Sequence, residues 1–159
     1  MGSIQEVDAM MLLHKSSYVV KLIDHFKIDD QSYIVSKYAQ GGDLLNYCLN
    51  TNESSRWLFE DRARHIFTQI AKGVRDMHRL GIFHRDLKLL NIFVADLSDF
   101  PKVKIGDLGL ACKLDQDEKI NQKCGTLPFM SPEQISKLPS DFKSDIWSLG
   151  VILFSVMSG

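Results

Sequence analysis

An α+β fold is predicted by three features of the 159-residue sequence. Two β-branched and aromatic runs, Tyr18 to Phe26 and Ser32 to Tyr38, flank the turn-like Lys27-Ile28-Asp29-Asp30 and read as a hairpin. From about Phe59 to Leu80, the residues Ile66, Phe67, Ile70, Ala71, Val74 and Met77 recur on one face at the 3.6-residue period of a helix. A third segment, from about Ser144 to Val156, is nearly all apolar, and such a helix is expected to be buried all round.

The remaining elements follow in order. Residues 5–14 carry Val7, Met10, Met11 and Leu13 at positions that suit a short helix, and Lys15-Ser16-Ser17 breaks it. Gly41-Gly42 ends the strand region, after which the composition shifts toward helix. Gly81 stops the long helix. Three short strand-like runs come next: Ile82-Phe83, Asn91 to Val94, and Val103 to Ile105. Asp107 to Pro132 is long, polar and weakly patterned, and a loop of that length inside a compact chain is usually functional.

Composition excludes several classes. With 45% hydrophobic and 25% charged residues, the chain is not intrinsically disordered. Its 19 basic and 20 acidic residues leave a formal charge of −1, which gives no electrostatic reason to expect nucleic acid or an anionic membrane as main partner. Three cysteines without repeating spacing read as reduced thiols rather than a disulfide framework. The longest apolar stretch, Ile146 to Met157, is interrupted by Ser148, Gly150 and Ser155, and falls short of the roughly 20 residues that span a bilayer. No leader pattern stands at the N-terminus, and Glu6 occupies the place where a myristoylation signal wants Ser or Thr. The expectation is a soluble, intracellular protein of the cytoplasm.

The chemistry-bearing stretch is His84-Arg85-Asp86-Leu87-Lys88-Leu89-Leu90-Asn91, followed by Asp107-Leu108-Gly109 and Ser131-Pro132-Glu133. Moving a phosphoryl group from a nucleotide to a hydroxyl needs a proton acceptor, cations to offset phosphate charge, and oxygen ligands for Mg²⁺. Asp86 can be the first, Lys88 supplies a positive charge, and Asn91 with Asp107 supplies hard oxygens. The short step from Asp86 to Asn91 lets one loop present both groups to one pocket.

In order and separation these residues resemble the protein kinase signature set. His84 to Asn91 resembles the catalytic loop. Asp107-Leu108-Gly109 resembles the metal-binding tripeptide with Leu for Phe, and Ser131-Pro132-Glu133 resembles the motif that closes the activation segment, with Ser for Ala. Downstream, Asp145-Ile146-Trp147-Ser148-Leu149-Gly150 is similar to the start of the family's buried large-lobe helix. The resemblance covers nearly the whole chain. It implies a protein kinase-like bilobal fold, incomplete (αC to αF in the family's lettering). Residues 1–39 would be the end of the small lobe and the hinge, with a remnant of its sheet, and 40–159 the mainly helical large lobe.

The resemblance also assigns roles. Asp86 would accept the hydroxyl proton, Lys88 would neutralise the transferring phosphate, and Asn91 and Asp107 would hold Mg²⁺. Thr126 would bond Asp86 and Lys88 and so orient the base. The ATP site would draw on Glu6, Ser36, Lys37, Ala39, Asp43, Leu90, Phe93 and Asp107. Among these Glu6 stands for the small-lobe glutamate (neighbouring Asp8 is acidic too), Ser36 for a small gatekeeper with an enlarged back pocket, and Lys37-Tyr38-Ala39 for the adenine-binding hinge. Asp43 would contact ribose. Leu89-Leu90 departs from the Pro-Glu common at those two places. Lys88 after Asp86, with Gly125-Thr126 downstream, is the serine/threonine pattern, so protein Ser/Thr hydroxyls are the expected substrates.

Plainer roles stand beside these. Asp86 alone could be a turn aspartate. His84 is expected to be structural, stacked with Leu108, Met10 and Leu22, and Cys112 and Cys124 to be inert thiols. Glu133 is expected in an ion pair. Arg85 precedes the base as in kinases whose activation loop is ordered by phosphate, yet no Ser, Thr or Tyr lies between Asp107 and Gly125. Asp115, Asp117 and Glu118 are the obvious anions for it. The 159 residues also contain no G-x-G-x-x-G stretch and no V-A-I-K lysine, and kinase domains run to roughly 250 residues. The expectation is therefore a partial domain, either a fragment of a longer product or a truncated relative. The rival reading is a catalytically impaired, pseudokinase-like binding module or scaffold; a small-molecule kinase of similar fold is a third.

Overall fold

A computed structural model describes residues 2–51, 58–115 and 117–158. The elements run β1 (Gly2–Ser3), α1 (Glu6–Leu12), β2 (Leu22–Ile28), β3 (Gln31–Ser36), α2 (Leu44–Thr51) and α3 (Glu60–Arg79). There follow β4 (Ile82–Phe83), a 3₁₀ turn at Leu89–Asn91, β5 (Ile92–Val94), β6 (Val103–Ile105), β7 (Cys112–Lys113), a 3₁₀ turn at Leu127–Phe129, α4 (Pro132–Ile135) and α5 (Lys143–Ser158). No helix among the described residues is long and apolar enough to cross a membrane.

The hairpin forms, with shorter strands and a tighter turn than the residue pattern suggests. β2 and β3 pair antiparallel from Leu22↔Ser36 to Ile28↔Gln31. The connection is the two residues Asp29 and Asp30, both left-handed at φ 47° and 64°, the geometry that matches the strands' own twist. Tyr18 to Val20 stay outside the pair because they run along β6 instead, while the Lys21 carbonyl still accepts the Lys37 N–H at 3.0 Å. Val19 bridges Ile105, and Val20 N–H donates to the Ile105 carbonyl at 2.8 Å. Among the described residues α1 packs on β2, and Ile23 remains 65% exposed.

The long helix forms as its periodicity requires. Acidic Glu60 and Asp61 open α3, and His78 and Arg79 close it, each matching the end of the helix dipole it sits on. Ala63, Ile66, Ile70, Val74 and Met77 are buried, while Phe67 and Ala71 lie at the edge of that stripe. Gly73 allows the closest approach: a Cβ there would sit 2.7 Å from Ile105 Cδ1. Gly81, at φ +71°, ends the helix and donates its N–H to the His78 carbonyl at 3.0 Å.

Two expectations change. Asp107 to Pro132 is not featureless: it contains β7, which pairs antiparallel with both β1 and β4 and so ties the loop to the core. Nor is α5 buried all round. Ser144, Asp145, Ser148, Leu149, Ile152 and Val156 are buried, facing α3 and the Leu127–Phe129 turn. Ile146, Trp147 and Phe154 remain 54%, 49% and 70% exposed, because no described element covers that side.

Candidate active site

Three separate segments converge on Asp86. The His84–Asn91 loop leaves β4, and Arg85 adopts φ +71°, a strained conformation for a residue with a Cβ. It is held there from below by Asp145, 1% exposed in the first turn of α5. One Asp145 oxygen accepts the His84 N–H at 3.0 Å and the other accepts the Arg85 N–H at 3.1 Å. His78 Nε2 lies 2.8 Å from the former oxygen. The sequence places Asp145 only at the start of a helix, and its role as an anchor becomes visible once the chain is folded. The signal that could have found it is an acidic residue opening an otherwise apolar segment, since a carboxylate is almost never buried unless paired.

His84 is fully buried and both ring nitrogens are occupied. Nε2 donates to the Gly106 carbonyl at 3.2 Å, which leaves Nδ1 to accept the Asp86 N–H at 3.3 Å. This fixes one neutral tautomer and gives the ring a structural role. Met10, Leu22 and Leu108 share the adjoining core.

The Asp86 carboxylate, 8% exposed, sits in a closed triangle. Lys88 Nζ donates to its Oδ2 at 2.7 Å, Thr126 Oγ1 donates to its Oδ1 at 2.7 Å, and Lys88 Nζ also donates to Thr126 Oγ1 at 2.9 Å. Burial pushes the Asp86 carboxyl upward. The hydrogen bonds from Lys88 and Thr126, with the Lys88 charge, overcome that push and hold it below the ordinary carboxylate value. Gly125 makes the approach possible: at φ +107°, a Cβ would stand 2.7 Å from the Arg85 carbonyl oxygen.

Asn91 is buried beside this triangle. Its amide nitrogen donates to the Asp86 backbone carbonyl at 2.9 Å, and its own backbone carbonyl accepts the Gly106 N–H at 2.9 Å. That second bond brings the Asn91 turn against the segment that carries Asp107. Asp107 is exposed and left-handed at φ 56°. It lines a cavity of about 250 Å³ together with Glu6, Ser36, Phe93 and Leu108. Glu6 Oε1 accepts the Leu108 N–H at 3.2 Å, across 102 residues of sequence. That contact gives Glu6, rather than Asp8, a link to the 107–109 tripeptide. Phe93 Cε2 would lie 2.7 Å from a Cβ on Gly106, so a glycine is needed beneath its ring.

Other sequence-derived candidates lie apart. Lys37 and Ala39 border a different, larger cleft. Asp43 caps α2, accepting the Asn46 N–H at 2.9 Å and the Asn46 side-chain amide at 2.7 Å. Leu90, 46% exposed, is not among the residues lining the Glu6–Asp107 cavity.

One charge expectation is corrected, and for a second no ion-pair partner stands among the described residues. Arg85 meets neutral acceptors: Nε donates to the Leu110 carbonyl at 2.5 Å and Nη1 to Gln122 Oε1 at 2.7 Å. Glu118 instead turns back on its own loop, accepting the Asp115 N–H at 3.0 Å. Glu133 forms no ion pair among the described residues. Ser144 Oγ donates to it at 2.7 Å, and burial, outweighed by that hydrogen bond, leaves its carboxyl below the ordinary value.

A model of the protein kinase domain matches residues 2–159. The chain belongs to the protein kinase domain family. Among its relatives, serine/threonine-protein kinase PLK4 of Nematostella vectensis is 36% identical over 146 residues, 91% of this chain and 14% of that protein. Serine/threonine-protein kinase plk-2 of Caenorhabditis elegans is 37% identical over 141 residues, 89% of this chain and 21% of that one. CBL-interacting serine/threonine-protein kinase 15 of Arabidopsis thaliana is 36% identical over 159 residues, 98% of this chain and 36% of that protein. The chain thus spans well under half the length of each. Its α+β architecture of helices and small antiparallel sheets is that of part of a kinase domain, and members of the family use ATP with Mg²⁺.

Proposed function

We propose that the chain transfers the γ-phosphoryl group of ATP to serine or threonine hydroxyls of proteins, with Asp86 accepting the hydroxyl proton. The Asp86–Lys88–Thr126 triangle is the observation that carries this reading. A carboxylate held ionised at neutral pH, with its two oxygens oriented by a lysine and a threonine from different segments, is a positioned proton acceptor. Lys88 is close enough to offset charge on the group in flight.

The residues present fit a hard cation. Asn91 turns its NH₂ inward to a carbonyl, which leaves its side-chain oxygen as the ligand end, and Asp107 adds an exposed carboxylate. These two would hold Mg²⁺, which when bound would offset the negative charge of the phosphates. Glu6 steadies the Asp107 segment through Leu108. Lys37 and Ala39 would offer backbone groups to adenine, while Ser36 and Phe93 border the small cavity behind it and Leu90 edges the nucleotide floor. Asp43 would exchange its hold on Asn46 for a ribose hydroxyl. A reducing, cytoplasmic setting suits three unpaired cysteines. Burial pushes the Cys48 and Cys112 thiols up to about 11, so neither is a ready nucleophile.

The test is ATP binding with and without Mg²⁺, followed by transfer of labelled γ-phosphate to casein, for wild type and Asp86→Asn. Mg²⁺-dependent binding should survive in the variant while transfer falls by roughly 10²–10⁴. Equal transfer by the two proteins would sink the assignment. Nucleotide binding without transfer by wild type would favour a non-catalytic module.

A further inference from the structure

Beside residues 37–39 lies a second cleft, of about 1470 Å³, which shares Val19 and Val20 with the Glu6–Asp107 cavity. Residues 17–21, the Asp61–Lys72 face of α3 and the 95–104 turn form its walls. Six cations line it: Lys21, Lys37, Arg64, Lys72, Lys102 and Lys104. The acidic side chains among the lining residues are Asp61 and Asp96. A chain whose formal charge is −1 therefore gathers six of its 19 basic residues around one hollow.

Half of these charges are uncommitted. Arg64 pairs with Glu60 on its own helix, and Lys72 lies 5.8 Å from the Tyr18 ring. Lys104 donates to the Ser17 carbonyl. Lys21, Lys37 and Lys102 form no ion pair among the described residues. Asp96, whose carboxylate accepts the Ser98 hydroxyl at 2.6 Å and the backbone N–H groups of Ser98 and Lys102, offsets part of the positive charge of Lys102 and Lys104. Burial, and then the charges of Lys21, Lys102 and Lys37, hold the Lys104 ammonium below the ordinary lysine value. An anion in the hollow would remove that repulsion.

Size and lining narrow the occupant. The cleft exceeds the roughly 300–1,000 Å³ of a small-molecule pocket. Tyr38 and Phe100, 82% and 55% exposed, stand at its border as apolar contacts among the lysines. A polyanion such as nucleic acid would meet a chain without net positive charge to draw it in. A short acidic segment with an apolar side chain matches both the charge and the aromatic border.

We propose that this cleft docks an acidic linear segment of a partner protein. Its Asp and Glu side chains pair with Lys21, Lys37, Lys102 and Lys104, and an apolar residue lies against Tyr38 and Phe100. Asp86 does not line the cleft, whereas Lys37 and Ala39 do and are also proposed to meet adenine through their backbones, so the titration is run without nucleotide and reads binding alone.

The probe is a fluorescein-labelled peptide of Glu and Asp around one Leu and one Phe, titrated with the full chain by anisotropy at increasing NaCl. Saturable binding that weakens with salt is expected. The exposed pair Lys21→Glu/Lys102→Glu should weaken it by about tenfold or more, while Lys137→Glu/Lys143→Glu, outside the cleft, should not. Circular dichroism checks folding, and Lys21→Gln/Lys102→Gln replaces the charge reversal if that unfolds. The proposal is overturned if a Gln/Asn version of the peptide binds equally well, or if the cleft variants bind like wild type. Tighter binding of oligo-dT or phosphatidylserine vesicles, lost with the same two lysines, would also overturn it.

Discussion

Asp145 is the side chain on which the shape of the His84–Asn91 loop rests, and replacing it separates positioning from the proposed chemistry. Its two oxygens accept the backbone N–H groups of His84, which is buried, and of Arg85, which is half-buried. A buried donor left without a partner costs about 1–3 kcal/mol. Asp145→Ala strands the buried His84 donor, a loss of about 1–3 kcal/mol against a total stability of about 5–15 kcal/mol, while the half-buried Arg85 N–H can turn to water. For a chain of this size that lowers the melting temperature by roughly 2–12 °C. Asp145→Asn keeps one acceptor oxygen and should fall at the low end of that range. Because Arg85 stays at φ +71° only while its N–H is held, the loop should relax, and phosphoryl transfer should drop by about 10² from misplacement alone. Calorimetry gives the melting shift, and amide hydrogen exchange reads His84 and Arg85 directly. Unchanged melting and unchanged protection of those two amides in Asp145→Asn would refute the reasoning.

The other expectations concern the triangle around Asp86. Thr126→Val removes a hydrogen bond to a charged group, worth about 1.5–3 kcal/mol, so transfer should fall roughly 10- to 100-fold and Thr126→Ser should restore it. The same change removes one of the influences holding Asp86 down, so its carboxyl should titrate at higher pH. In wild type the folded value is the depressed one. The stabilisation it contributes is therefore complete above the ordinary carboxylate range and is lost as pH falls through the depressed value. Acid unfolding of Thr126→Val should accordingly begin at higher pH, as followed by circular dichroism. Gly125→Ala puts a methyl group 2.7 Å from the Arg85 carbonyl at φ +107° and should cost about 1–3 kcal/mol, measured by urea unfolding; a neutral result would contradict the close approach.

Local chemistry made much of this molecule legible beforehand. α3 was readable because an apolar stripe at helical spacing and a terminal Gly81 are properties of neighbouring residues. The Asp86–Asn91 spacing was readable for the same reason. α2 was harder: Leu44, Leu45, Tyr47, Cys48 and Leu49 cover most of a short helix, and only Asn46 and Asn50, one turn apart, mark its polar face. β7 is two residues long and exists only through pairing with Phe83 and Ser3, which lie 29 or more residues away. The brief helix α4 was encoded locally after all. Ser131 and Gln134 form its capping box, a serine three residues ahead of a glutamine. α5 misled for a physical reason: apolar residues on every side say what a helix would prefer to bury, and not what is present to cover it.

The grip on Arg85 has an implication for control. Its guanidinium is satisfied by an uncharged amide and a carbonyl, and the run from Asp107 to Gly125 offers no hydroxyl that could carry a modifying charge. The loop is thus fastened by groups that neither titrate nor become phosphorylated. Position 85 carries no charge-dependent toggle on this loop, and its hold lasts for as long as Gln122 and the Leu110 carbonyl stay in place.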